Sequence, residues 1–88
     1  MPEICRFGGI KILMYYDDHN WPHVHVRCAE DEASFDLTIM AFTTGQLPKS
    51  KEQDFLDWAM DSEQELLEAW KRAERKEPIG KIASLRQQ

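Results

Sequence analysis

All three histidines of this chain fall within seven residues, in the run Asp17-Asp18-His19-Asn20-Trp21-Pro22-His23-Val24-His25-Val26-Arg27. Histidine ordinarily changes charge near neutral pH, and its neutral ring is a common metal ligand. Two kinds of chemistry follow. In the first, histidines two apart on an extended segment point the same way and converge on one ion. A zinc-type site takes three or four ligands. His23 and His25 would supply two, and His19, Asp18, Asp17 or Asp36 the others, so the cofactor expected is a divalent metal such as zinc. In the second there is no metal. One of His23 and His25 takes a proton, the other donates one, and Arg27 stabilises the charge that develops as a phosphodiester is cut. Tyr15 or Tyr16 could assist, and Asp36 would orient an imidazole. A third reading is structural: the histidines line a half-solvated sheet face, Asp18 and Asn20 hold a turn, and Trp21-Pro22 pack it. Residue types and spacing leave the three open.

The segment that positions these groups reads as a strand. In His23-Val24-His25-Val26-Arg27-Cys28 alternation puts His23, His25 and Arg27 on one face and Val24, Val26 and Cys28 on the other. Ahead of it, Ile4 to Phe7 and Ile10 to Tyr16 flank Gly8-Gly9, a pair suited to a two-residue type I′ hairpin. The second run has few polar breaks, as expected of a strand covered on both faces. Behind it, Ala33, Phe35 and Leu37 alternate with Ser34 and Asp36. A turn at Glu30-Asp31 would set Val26 against Phe35, Val24 against Leu37, Arg27 against Ser34 and His25 against Asp36. Asp17 to Pro22 is a loop by its turn-forming residues.

Past Gly45-Gln46-Leu47-Pro48 the period changes. Phe55, Leu56, Ala59, Met60, Leu66, Leu67, Trp70 and Ala73 follow a helical 3–4 spacing, acidic early and basic late, which suits the helix dipole. One helix from Lys49 to Lys76 would run roughly 42 Å at 1.5 Å per residue, longer than so small a domain. A kink or break is therefore expected near Asp61-Ser62, where Ser62-Glu63-Gln64-Glu65 fits a capping box. Pro78 ends the helix, and Ile79, Ile82 and Leu85 dock an extended tail. Trp58 and Trp70 read as core. The expected fold is α+β in a single domain over 1–88. An N-terminal antiparallel β-sheet of about four strands (1–45) is followed by one long kinked or two consecutive α-helices (46–77) and a C-terminal tail (78–88).

Composition narrows the function classes. Sixteen acidic and eleven basic residues give a formal net charge of −5, whereas extended nucleic-acid contact needs a basic surface. General DNA or RNA binding is thus disfavoured, though a small local site is not. No run approaches the roughly 20 apolar residues of a membrane span, and Met1 to Arg6 lacks a signal-type apolar stretch. Cytoplasmic localisation is expected, with Cys5 and Cys28 reduced and buried.

The chain also resembles a bacterial family catalogued as domain of unknown function 4160. The resemblance rests on Met1-Pro2, Ile4, Arg6-Phe7, Met14-Tyr15, Asp18-His19-Asn20, Pro22-His23, His25-Val26, Gly45, Leu47-Pro48, Glu65-Leu66-Leu67, Trp70, Lys81-Ile82 and Leu85. The Asp-His-x-x-Pro-His-x-His segment is its specific part. It implies a prokaryotic cytoplasmic component of a toxin–antitoxin-type pair with a small protein partner encoded nearby, and leaves open which half of the pair the chain is; combined with the residues above, the histidine cluster would act on RNA or hold a metal. The alternative is a non-enzymatic interaction module with structural histidines, binding a partner or a second copy through the helix. Three positions depart from the family pattern. Trp21 stands where a second proline is frequent, Cys28 where tyrosine is common, and Ser62 where a helical histidine often occurs.

Overall fold

The computed structural model describes residues 3–15 and 21–82. Five strands, β1 (Glu3–Phe7), β2 (Ile10–Leu13), β3 (His23–Cys28), β4 (Asp31–Asp36) and β5 (Ala41–Gly45), precede two helices, α1 (Lys49–Asp61) and α2 (Glu63–Glu74). The strands form one antiparallel sheet in chain order. The fold is the expected α+β arrangement with one strand more than about four. The extra strand is β5, which carries the weakest pattern. It starts after Met40 at φ 55, and its ladder to β4 slips between Ser34 and Phe35.

Gly8 and Gly9 make the two-residue link expected of them. Both have positive φ, 55 and 80, and Phe7 pairs with Ile10 across the turn. The β3–β4 hairpin differs from expectation. Its turn is Ala29-Glu30, with Ala29 at φ 55, so Cys28 pairs with Asp31. The register therefore stands two residues away from that of a Glu30-Asp31 turn. Val26 faces Ala33, Val24 faces Phe35, Arg27 faces Glu32, His25 faces Ser34 and His23 faces Asp36. A two-residue displacement keeps every side chain on its face but changes every partner.

One face of the sheet is the core. Ile10, Ile12, Val24, Val26 and Phe35 are fully buried there beneath α1. The Phe55 ring meets Phe35 at 4.8 Å, edge to face, and Trp58 meets Phe7 at 5.8 Å. Such pairs add about 0.5–1.5 kcal/mol beyond burial. Gly45 ends β5 at φ 73, where a Cβ would collide with the Glu32 carbonyl oxygen, so only glycine lets the chain turn towards Leu47 here.

The helix breaks where expected. Ser62, buried, separates α1 from α2; its N–H donates to Trp58 O and Ala59 O, and its carbonyl accepts from Leu66 N. The capping box does not form, because the Ser62 side chain makes no cap hydrogen bond. Met60, counted with the apolar stripe, is instead 63% exposed, whereas Trp58 and Trp70 are core. α2 stops before Pro78, and the following segment lies against the sheet. Ile79 and Ile82 are buried, and Ile82 N–H donates to Ile4 O on β1 at 2.8 Å. Leu85 lies outside the described residues.

Candidate functional site

The face of β3 opposite the core carries the candidate groups. Val24, Val26 and Cys28 are buried, while His23, His25 and Arg27 are half-buried, as the alternation requires. β2 adds Lys11 opposite Arg27 and Leu13 opposite His25; β4 adds Glu32, Ser34 and Asp36. The two imidazoles lie side by side, with ring centroids 5.2 Å apart and planes at 72°. Tyr15 meets the His25 ring edge to face at 4.8 Å.

Each histidine is held differently. His23 Nδ1–H donates to the Trp21 carbonyl oxygen at 2.8 Å. That bond fixes the ring's orientation and leaves Nε2 as the working nitrogen. The Trp21 ring lies 6.4 Å from His23 and is 54% exposed. Trp70, nearly fully buried on α2, packs its ring 5.6 Å from His23. The helical layer thus also bears on the site, a contact that the helix periodicity did not reveal. Sequence spacing gave Trp70 only a core role, and a contact between an α2 residue and the start of β3 has no local signal.

His25 has no comparable anchor among the described residues. Its Nδ1 stands 3.8 Å from Glu32 Oε2. Burial lowers its proton affinity below the usual histidine range. The neighbouring His23 pushes the same way, Glu32 opposes, and Arg27 adds a smaller lowering. The His25 ring is therefore neutral at pH 7. The same Glu32 oxygen lies 3.5 Å from Arg27 Nε, a buried nitrogen with no hydrogen-bond partner among the described residues. Among the described residues, Glu32 is thus the carboxylate beside His25 and Arg27. Its role was hidden because it follows from the Ala29-Glu30 turn. Asp36, expected to orient His25, sits across from His23 and accepts Thr38 N–H at 2.7 Å, closing a local turn.

The arrangement offers two imidazole donors to a metal, His23 and His25. Among the described residues, no group of three or more His, Cys, Asp or Glu side chains is placed to hold an ion. His19, Asp17, Asp18 and Tyr16, the remaining candidates, lie outside the described residues. Chemically, the face presents His25 shifted towards its neutral form, a second histidine with one nitrogen tied back, the cationic Lys11 and Arg27, the Glu32 carboxylate beside Arg27 and His25, and an exposed indole. No described helix is long and apolar enough to cross a membrane.

A sequence profile described as domain of unknown function (DUF4160) matches residues 9–71, well over half of the chain. The chain belongs to that family. The match takes in the β2–β5 sheet, the histidine run, α1 and most of α2. Comparison with curated proteins and with solved structures gives no match.

Proposed function

We propose that this family member acts on RNA through the His23–His25 pair, cleaving the phosphodiester by metal-free proton transfer, as the active half of a toxin–antitoxin-type pair. The observation that carries this reading is the pairing of two imidazoles 5.2 Å apart whose environments differ. Acid–base cleavage needs two such groups with unlike protonation, one to accept a proton and one to donate.

In this reading neutral His25 takes the proton of a ribose 2′-hydroxyl. The 2′-oxygen attacks phosphorus, and the bond from phosphorus to the 5′-oxygen breaks. His23, its Nδ1–H held by Trp21 O, gives a proton from Nε2 to the departing 5′-oxygen. The products are a 2′,3′-cyclic phosphate and a 5′-hydroxyl, and the next turnover begins once the two rings have exchanged a proton with water. Arg27 and Lys11, cross-strand neighbours on this face, supply positive charge to the phosphate. Trp21 offers an exposed ring on which a base can stack. The acidity of the chain restricts contact to a few nucleotides, which favours a short single-stranded stretch over a long duplex.

Induced expression in a bacterial host tests the reading. The wild type is expected to arrest growth, and the His23→Ala, His25→Ala double variant, equally soluble and abundant, to relieve the arrest. Arrest that survives the double change would contradict it, as would normal growth with abundant soluble wild-type protein.

A further inference from the structure

A row of cations crosses the histidine face. Arg6 on β1 pairs with Lys11 on β2, and Lys11 pairs with Arg27 on β3. Directly paired residues of an antiparallel sheet share a face. The residues flanking each cation in its strand, Cys5 and Phe7, Ile10 and Ile12, Val26 and Cys28, are buried in the core, so all three cations point to the other side. Like charges set opposite one another destabilise a sheet, yet the row stands in a chain of net charge −5. Its outer members each have a carboxylate. Arg6 donates to both Glu3 oxygens, at 2.7 and 3.0 Å, and Arg27 Nε stands 3.5 Å from Glu32 Oε2. Lys11, between them, makes no ion pair or hydrogen bond among the described residues. Arg27 Nε is buried, and among the described residues it has no hydrogen-bond partner. An anion in front of the row would relieve the repulsion and accept from these donors.

Position identifies the anion. Arg27 follows His25 by two residues on β3, a step of roughly 6.7 Å, which one nucleotide of an extended single strand can span. Leu13 and Ser34, the cross-strand partners of His25, carry no charge, so the cations are confined to the next row. In the cleavage reading His25 serves the 2′-oxygen of the nucleotide before the cut, and His23 serves the 5′-oxygen of the nucleotide after it. Trp21 lies beyond His23, its ring 6.4 Å away. The cation row therefore lies on the far side of His25, beside the nucleotide before the cut. RNA would run in its 5′→3′ sense from Arg27 towards Trp21, and the group that meets the row is the phosphate on the 5′-oxygen of that nucleotide.

We infer that Arg6, Lys11 and Arg27 form a second phosphate subsite, which holds the phosphate one nucleotide 5′ of the cut and so fixes the direction in which RNA crosses the sheet. Lys11 makes the principal contact, Arg27 is shared with the scissile phosphate, and Arg6, turned to Glu3, adds charge from the far end of the row. The polarity rests on the RNA reading; the phosphate chemistry of the row does not. That phosphate is either a backbone diester or a terminal monoester.

The test uses the full chain and 2′-deoxy dinucleotides, which lack the attacking hydroxyl and stay intact: unphosphorylated dUpdA, 5′-phosphorylated pdUpdA and 3′-phosphorylated dUpdAp. Binding is followed by NMR titration of the backbone amides. The 5′-phosphorylated form is expected to bind about tenfold more tightly than the other two, the worth of one charge-assisted contact, and to shift the amides of Lys11 and Arg27. Because dUpdAp carries the same added charge, it separates a placed subsite from general attraction. Lys11→Gln is expected to remove the preference with the circular dichroism unchanged, and Arg6→Gln, at a side chain 61% exposed, to reduce it. The trinucleotide dUpdUpdA sets a diester in the same place. A preference matching that for pdUpdA assigns the subsite to the RNA backbone, and a smaller one assigns it to a terminal phosphate. Equal binding of pdUpdA and dUpdAp, or a preference that survives Lys11→Gln, would overturn the inference and leave the cleavage reading standing. A wild type that prefers pdUpdA yet cleaves no RNA would sink the cleavage reading and leave the phosphate subsite in place.

Discussion

Replacing Ala29 with glycine is predicted to stabilise the protein, and the sign of the effect tests the register that builds the site. Ala29 has φ 55 in an exposed two-residue turn. An L-residue in this left-handed region pays roughly 1–2 kcal/mol that glycine does not. Glycine in turn loses about 0.4–1 kcal/mol more conformational freedom on folding. The difference leaves Ala29→Gly about 0.5–1 kcal/mol more stable, a rise in Tm of about 2–8 °C for a domain of this size. Urea unfolding of both proteins, followed by tryptophan fluorescence, reads the midpoint with an unchanged slope. Had the turn been Glu30-Asp31, Ala29 would be an extended strand residue and glycine would destabilise by about 0.5–1 kcal/mol. A lower midpoint for Ala29→Gly would refute the turn assignment. With it would go the placement of Glu32 beside His25 and Arg27.

Gly45→Ala is expected to destabilise by about 2 kcal/mol or more, since positive φ and a collision with the Glu32 carbonyl combine; an unchanged Tm would contradict the close β4–β5 approach. His25 gives stability a pH dependence. The fold favours the neutral ring, so the unfolded chain binds more protons, and the stabilisation present above about pH 6.5 is lost as pH falls through the lowered folded value. Urea midpoints of the wild type between pH 7.5 and 5 should fall more steeply than those of His25→Gln, and parallel curves would count against the burial argument.

The chain announced its elements more clearly than their partners. Gly8-Gly9 and the His-x-His alternation are local signals, and both hairpin and faces follow from them. The β3–β4 register was missed because its turn uses a left-handed alanine, a residue that carries no turn signal. The same displacement hid Glu32 and overvalued Asp36, whose carboxylate serves the Thr38 amide. β5 escaped notice because Met40 and the slip at Ser34–Phe35 interrupt its alternation. The capping box at Ser62 matched in residue types, yet the serine is buried at a junction where its backbone already continues the hydrogen-bonded ladder. Contact between His23 and Trp70 joins residues far apart in sequence, and spacing cannot supply such a pair.

The most direct test of the central claim is cleavage of a short single-stranded RNA by the purified chain in the presence of EDTA. The wild type is predicted to release fragments ending in a 2′,3′-cyclic phosphate. His23→Ala and His25→Ala are each predicted to slow release by at least about a hundredfold, the usual contribution of a proton-transferring side chain, with folding intact by circular dichroism. Cleavage that persists undiminished in both variants, that stops on chelation, or that is absent from the wild type would contradict the account.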